Sequence, residues 1–289
     1  MAGLTMDLET LRGWIGRREE AIDAIPVSAV RLVQAFYGLD PVAVEGDPLA
    51  ETWHWCFFHR PVPHTGLGED GHHAVGGFLP PFDLPRRMWG GSRISFERPV
   101  RIGRETRKVS TIASVDIKQG ASGTLGIVRV EQVITQDGAT CLVELQDLIY
   151  REAEGTGAPP SSQRGAPAGA EAMPQTKASE TVVADEVMLF RYSALTYNAH
   201  RIHYDRDYAV KKEGYPDLVV HGPLTASRLA RFAVSRVEGR RLREFRFRGT
   251  LPLFCGETFA LHAREADGDL DLWAANQRGE IAMKARASF

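Results

Sequence analysis

A chain of 289 residues, 43% hydrophobic and 25% charged, carries enough apolar surface for substantial cores, and its length suits two domains better than one. A net charge of −2 excludes a general affinity for nucleic acid or an anionic membrane, because neither finds a basic surplus to attract it. Cys56, Cys141 and Cys255 stand far apart without CxxC spacing, which argues against a disulfide framework or a zinc site and fits a reducing cytoplasm.

The opening residues, MAGLTMDLETLRGWIG, include acidic groups and lack the apolar core of a signal peptide. No run of about 18 apolar residues follows, so a soluble chain is expected. Leu8, Leu11 and Ile15 mark a short amphipathic helix, and Pro26 precedes a helical run with Val30, Val33, Phe36 and Tyr37 on one face. His54, His59, His64, His72 and His73 lie among Gly, Pro and aromatic residues, which reads as an irregular pocket or interface loop. Strands are expected at 92–96, 105–118, 124–136 and 140–150. Residues 152–178 are dominated by Gly, Ala, Pro and Ser and cannot bury enough surface to offset their ordering entropy, so they read as a linker between 1–151 and 179–289. Beyond it, 186–195 suggests a strand and turn, followed by an irregular polar segment. Pro223 opens a helix that Gly239 closes, with Ala226, Leu229, Ala230, Ala233, Val234 and Val237 forming one face of mostly small residues. The remaining stretches, 242–249, 257–265, 270–277 and 280–289, read as strands separated by turns.

The most informative stretch is 191–229, where Asn198-Ala199-His200-Arg201-Ile202-His203 precedes the helix start His221-Gly222-Pro223. It resembles the hydratase motif of MaoC-like enoyl-CoA hydratases, Gly-Asp-x-Asn-Pro-Ile-His followed by a Gly-containing turn into a long helix. Tyr197 stands at the motif's Gly, Asn198 at its Asp, His200 at its Asn, Arg201 at its Pro and His203 at its His. These departures resemble the branch of double hot-dog acyl-thioester dehydratases that includes mesaconyl-CoA hydratase-like and hydroxyacyl-thioester dehydratase type 2 proteins. The resemblance implies an α+β double hot-dog, two antiparallel sheets each wrapping a central helix. Its N-terminal copy would lack catalytic residues and supply part of the acyl pocket.

Hydrating an enoyl thioester requires a base for the water that attacks the β-carbon, an acid for the α-carbon, and donors for the developing enolate oxygen. His203 suits the first two parts, since imidazole exchanges protons near neutral pH. Asn198 cannot accept a proton and can only orient the water. The N–H of Gly222, at the positive end of its helix, suits the enolate oxygen, with His221 beside it on the substrate side. The segment Leu84-Pro85-Arg86-Arg87-Met88-Trp89-Gly90-Gly91 resembles the Pro-Arg-Arg-Met-Trp-Ala-Gly segment of mesaconyl-CoA hydratase-like proteins, which puts Arg86, Arg87 and Trp89 at the acyl end, where an arginine could hold a second carboxylate. Alternation in 240–248 puts Phe245 and Phe247 on one strand face and Arg246 and Arg248 on the other, either for CoA phosphates or as an ordinary half-exposed strand.

The expected substrate is a methyl-branched dicarboxylyl-CoA such as mesaconyl-CoA or itaconyl-CoA, with no cofactor and no metal. Two alternatives stay open: a dehydratase of fatty-acid-type 3-hydroxyacyl thioesters, and a noncatalytic acyl-CoA binding protein. Thioesterase chemistry would need a water-activating group that the sequence does not display. Neither composition nor motif sets the oligomeric state, and a homo-oligomer is compatible with both.

Overall fold

A computed structural model describes residues 7–120, 123–152, 176 and 178–289. Ten strands form one antiparallel sheet in the order β1-β3-β4-β5-β2-β7-β10-β9-β8-β6. The first half contributes β1 (Arg18–Asp23), β2 (Arg86–Phe96), β3 (Thr106–Gly120), β4 (Gly123–Gln136) and β5 (Ala139–Arg151). The second contributes β6 (Ala178–Val183), β7 (Glu244–Gly249), β8 (Thr258–Ala266), β9 (Asp269–Asn276) and β10 (Ile281–Ser288). Reading outward from the centre, the two halves have the same connectivity, and they meet where β2 pairs with β7 through Ser92↔Phe247 and Ile94↔Phe245.

The helices break this symmetry. In the second half, α4 (Gly222–Val234) lies across β7 to β10 and buries Ala226, Leu229, Ala230 and Ala233; these small side chains let its backbone approach the sheet closely. The first half has a short α1 (Leu8–Arg12) and α2 (Val27–Phe36). Where the second half carries α4 ahead of β7, the first carries only the 3₁₀ turns Trp53–Cys56 and His64–Gly66 ahead of β2. Its inner sheet face, with Lys108, Gln132, Gln146 and Leu148, is left to line a cavity. Helix α2 packs instead on α3 (Glu186–Thr196). Next to α2, Tyr37 donates to Ser227 Oγ of α4 at 2.7 Å, and Thr52 donates to the same oxygen at 2.8 Å.

Several sequence expectations change. Residues 186–195 form helix α3, not a strand and turn: Asp185 caps it by accepting from Met188 N–H at 2.8 Å. Exposed Val187 and Phe190 give the run a strand-like composition and blur its amphipathic stripe. Helix α4 stops at Val234, and Gly239 takes its positive φ in a turn beyond the helix. Ile15 falls outside α1 and is exposed. Strand β2 starts at Arg86, six residues before the expected 92, because Gly90-Gly91 serves as a bulge within the strand and not as a break. A Cβ on Gly91 would lie 2.3 Å from Phe247 O, so this close approach to β7 requires glycine.

Strands β1 and β6 lie at the two edges of the sheet and are additions to the expected set. The proposed linker lies almost wholly outside the described residues, although its last residue, Ala178, begins β6. All three cysteines are free and buried. No helix among the described residues is long and apolar enough to cross a membrane.

Candidate active site

A cavity of about 1020 Å³ opens between the inner face of the first half and the start of α4. One wall is the polar segment after α3. The helix ends at Tyr197, whose φ of 51° is left-handed, and Asn198 N–H returns to Ser193 O at 2.9 Å. This left-handed position is where the hydratase motif carries glycine. Asn198 lines the cavity, but its Oδ1 already accepts from His200 N–H at 3.0 Å. The side chain therefore fixes the turn as well as facing the cavity.

Ile202 and His203 follow in a 3₁₀ turn. Buried His203 donates Nδ1–H to Val219 O at 2.7 Å, which assigns the lone pair to Nε2. Burial lowers its pKa to about 4, partly offset by the Val219 carbonyl, so the resting ring is neutral and can accept a proton. The ring stacks on His221 at 3.7 Å. His221 is fully buried and does not line the cavity, contrary to its expected place on the substrate side. Its Nε2 meets Ser193 Oγ at 2.8 Å while Nδ1 has no protein partner among the described residues. A buried unpaired acceptor costs less than a buried unpaired N–H, which favours Nε2–H donating to Ser193. His221 thus supports the His203 ring from behind.

Gly222 begins α4 on the cavity wall, and its N–H has no protein acceptor among the described residues. A Cβ there would meet nothing within 4 Å, so there is room for a ligand beside this residue. The free N–H at the positive helix end is suited to an oxyanion.

The two arginines separate in role. Arg86 Nε pairs with Glu213 at 2.9 Å, and its Nη2 donates to Glu213 O, so this arginine is engaged with another residue of the cavity lining. Arg87 also lines the cavity; its charge reaches Asp70, His72 and Tyr150, and it has no ion-pair partner among the described residues. Trp89 donates to Ser92 Oγ at 2.9 Å and meets Trp55 edge-on at 4.9 Å, with Phe247 beneath both. Arg246 and Arg248 are exposed on the face opposite Phe245 and Phe247, away from this cavity, as in an ordinary half-exposed strand.

Three histidines from the 54–73 stretch, His54, His72 and His73, line the cavity, and the first two are tied to carboxylates. His54, Trp55 and Ser92 all donate to the fully buried Glu144, at 3.0, 3.0 and 2.6 Å. Burial pushes the Glu144 carboxyl up, and the bonds and charge from His54, with Ser92 and Trp55, more than offset it, leaving it below the usual carboxylate range. His72 lies against His200 at 4.0 Å and donates Nδ1–H to Asp70 at 2.7 Å. The loop carrying His72 is clamped to the motif: Asp70 O accepts Arg201 N–H at 2.9 Å, and a Cβ on Gly71 would fall 1.9 Å from Ala199 O. Gly71→Ala is therefore expected to displace this loop and lower thermal stability by about 1–3 kcal/mol. Unchanged melting and unchanged protease resistance of residues 66–74 would contradict the clamp.

The family model described as hydroxyacyl-thioester dehydratase type 2 matches residues 52–255. The chain belongs to that family. It is 42% identical over 276 residues to mesaconyl-C(4)-CoA hydratase of Chloroflexus aurantiacus, covering 94% of this chain and 95% of the relative. Among solved structures, a MaoC-like dehydratase from Phytophthora capsici superposes with a TM-score of 0.68 at 16% identity, covering 98% of each chain. A Mycobacterium tuberculosis protein described as a double hotdog fold superposes with a TM-score of 0.53 at 13% identity, covering 94% of this chain and 95% of the other. The α+β hot-dog expectation agrees with these likenesses.

Proposed function

We propose that the chain catalyses reversible hydration of an α,β-unsaturated acyl-CoA, with a methyl-branched dicarboxylyl-CoA such as mesaconyl-CoA or itaconyl-CoA as its substrate. The observation that carries this reading is the pairing, on one cavity wall, of a neutral His203 with a free Nε2 and an unpartnered Gly222 N–H. Nε2 takes a proton from the water attacking the β-carbon, and the π electrons move onto the thioester oxygen held at Gly222. Asn198 helps hold the water. The two halves act as a fused pair of hot-dog copies, 1–151 shaping the acyl pocket and 179–289 carrying the motif.

The relative at 42% identity supports the dicarboxylyl choice, and so does the cavity lining. Arg87 and the partly buried Lys108 put positive charge where a fatty acyl chain would need an apolar tunnel. Arg87→Met is expected to raise the KM for mesaconyl-CoA by about 10- to 100-fold, the loss of a charge-assisted pair, while leaving crotonyl-CoA within a few-fold. Loss of enoyl-thioester absorbance measures both. Equal effects on the two substrates would remove the carboxylate-binding role.

A further inference from the structure

His203 is one of a row of four imidazoles. His221 stacks on it at 3.7 Å, His200 meets it edge-on at 5.4 Å, and His72 packs on His200 at 4.0 Å. Of the four, only His72 has a carboxylate behind it among the described residues: Asp70 Oδ2 accepts its Nδ1–H at 2.7 Å, and Oδ1 accepts its backbone N–H at 3.0 Å. This assigns the His72 lone pair to Nε2, which has no protein partner among the described residues, and the residue lines the cavity. The cavity therefore holds two neutral imidazoles of the same tautomer with different backing groups, a carbonyl for His203 and a carboxylate for His72.

That difference decides where a proton rests. A carboxylate stabilises an adjacent imidazolium far more than a neutral carbonyl does, especially out of water. His203 is thus suited to activating the water and poorly suited to keeping its proton. Among the described residues no other carboxylate on the cavity is free to take over. Glu213 is the acidic residue lining the cavity and is paired with Arg86, while Asp205 is held by Arg201 and Tyr208 N–H. The groups facing His72 or acting on it are Asp70, Arg87, His73, His200 and His203. Burial, then the charge of Arg87, lowers the His72 pKa, which favours the neutral ring at rest and leaves it able to accept a proton. Arg87 also disfavours a metal ion on the Asp70, His72 and His200 ligand atoms, which lie within 4.8 Å of one another.

Building on the hydration reading, we propose that His72, backed by Asp70, is a second catalytic acid–base residue contributed by the N-terminal half. The O–H bond of the water breaks as its oxygen bonds to the β-carbon. The proton taken at His203 passes to His72 through water in the cavity both rings line, rests there against Asp70, and is delivered to the α-carbon as the enolate collapses. The sum is one water added and both histidines neutral again.

The test compares His72→Gln, His72→Ala and Asp70→Asn with His203→Ala in single-turnover hydration of mesaconyl-CoA. His72→Gln is expected to lower kcat about 10²-fold or more with KM within a few-fold, since glutamine keeps a polar side chain but carries no proton. Added imidazole should restore part of the rate to His72→Ala. Asp70→Asn, the mildest change should the others fold poorly, is expected to lower kcat about 10-fold at unchanged KM. If wild-type and His72→Gln turnover match while His203→Ala is inactive, this inference alone fails; a wild-type protein that hydrates no enoyl-CoA removes the hydration reading and this inference together. Full rescue by glutamine with none by imidazole in His72→Ala would make His72 structural, and a stoichiometric metal lost in His72→Gln would make the cluster a metal site; either result overturns the proposal.

Discussion

Replacing His203 with alanine is expected to lower the single-turnover hydration rate by about 10²- to 10⁴-fold while the protein stays folded and still binds a CoA thioester. The ring is held by one backbone carbonyl and one stacking partner, so its removal leaves a cavity beside His221 without disturbing the Val219 backbone. The pH dependence follows from its tautomer. His203 must be neutral to accept a proton, and burial puts its pKa at about 4, so the acid limb attributable to this ring should lie near pH 4 and the rate should be flat through neutrality. Asn198→Ala should cost less, because only orientation is lost, and Asn198→Asp should keep activity. Near-wild-type rates in folded His203→Ala would overturn the assignment.

The second large effect concerns stability. Glu144→Ala leaves the donors of His54, Trp55 and Ser92 facing one another around a buried hole, at a cost of about 3–5 kcal/mol in denaturant unfolding. Glu144→Gln should cost less and change the pH profile. The native carboxyl titrates below its usual 4.5, so its contribution is fully present above that value and disappears as pH falls through the lower native pKa. The gap between wild type and Glu144→Gln should therefore be constant from about pH 7 to 5 and close in acid. A gap independent of pH would show that the carboxylate charge contributes nothing. Because Trp55 and Trp89 rest on this network, Glu144→Ala should also loosen the acyl pocket.

What could be read from the chain followed the range of the forces involved. Strand Glu244–Gly249 alternates cleanly, with Phe245 and Phe247 inward, because it has one buried and one wet face, whereas Asp269–Asn276 ends in a run of buried residues and was legible from its apolar content and flanking turns. The motif around His203 and the helix start at Gly222 were likewise legible, being local patterns of residue type. Helix α3 was hidden because Phe190 and Val187 are exposed on it, and β1 because REEAID is a charged edge strand. The place of His72 depends on a contact between Gly71 and Ala199, residues far apart in the chain, and no local pattern encodes it. Arg86 and Arg87 looked equivalent as neighbours, and only the arrival of Glu213 beside one of them separates their roles.

The asymmetry between the halves, α4 on one side and two short turns on the other, bears on how such a protein can change over time. Gln132, Gln146 and Leu148 face the cavity from strands that carry none of the motif, so substitutions there can reshape what fits without touching Asn198, His203 or Gly222. New substrate range and retained chemistry then fall under separate selection within one polypeptide. The clamped loop around Gly71 marks the limit of that freedom, since there the variable half is fastened to the constant one.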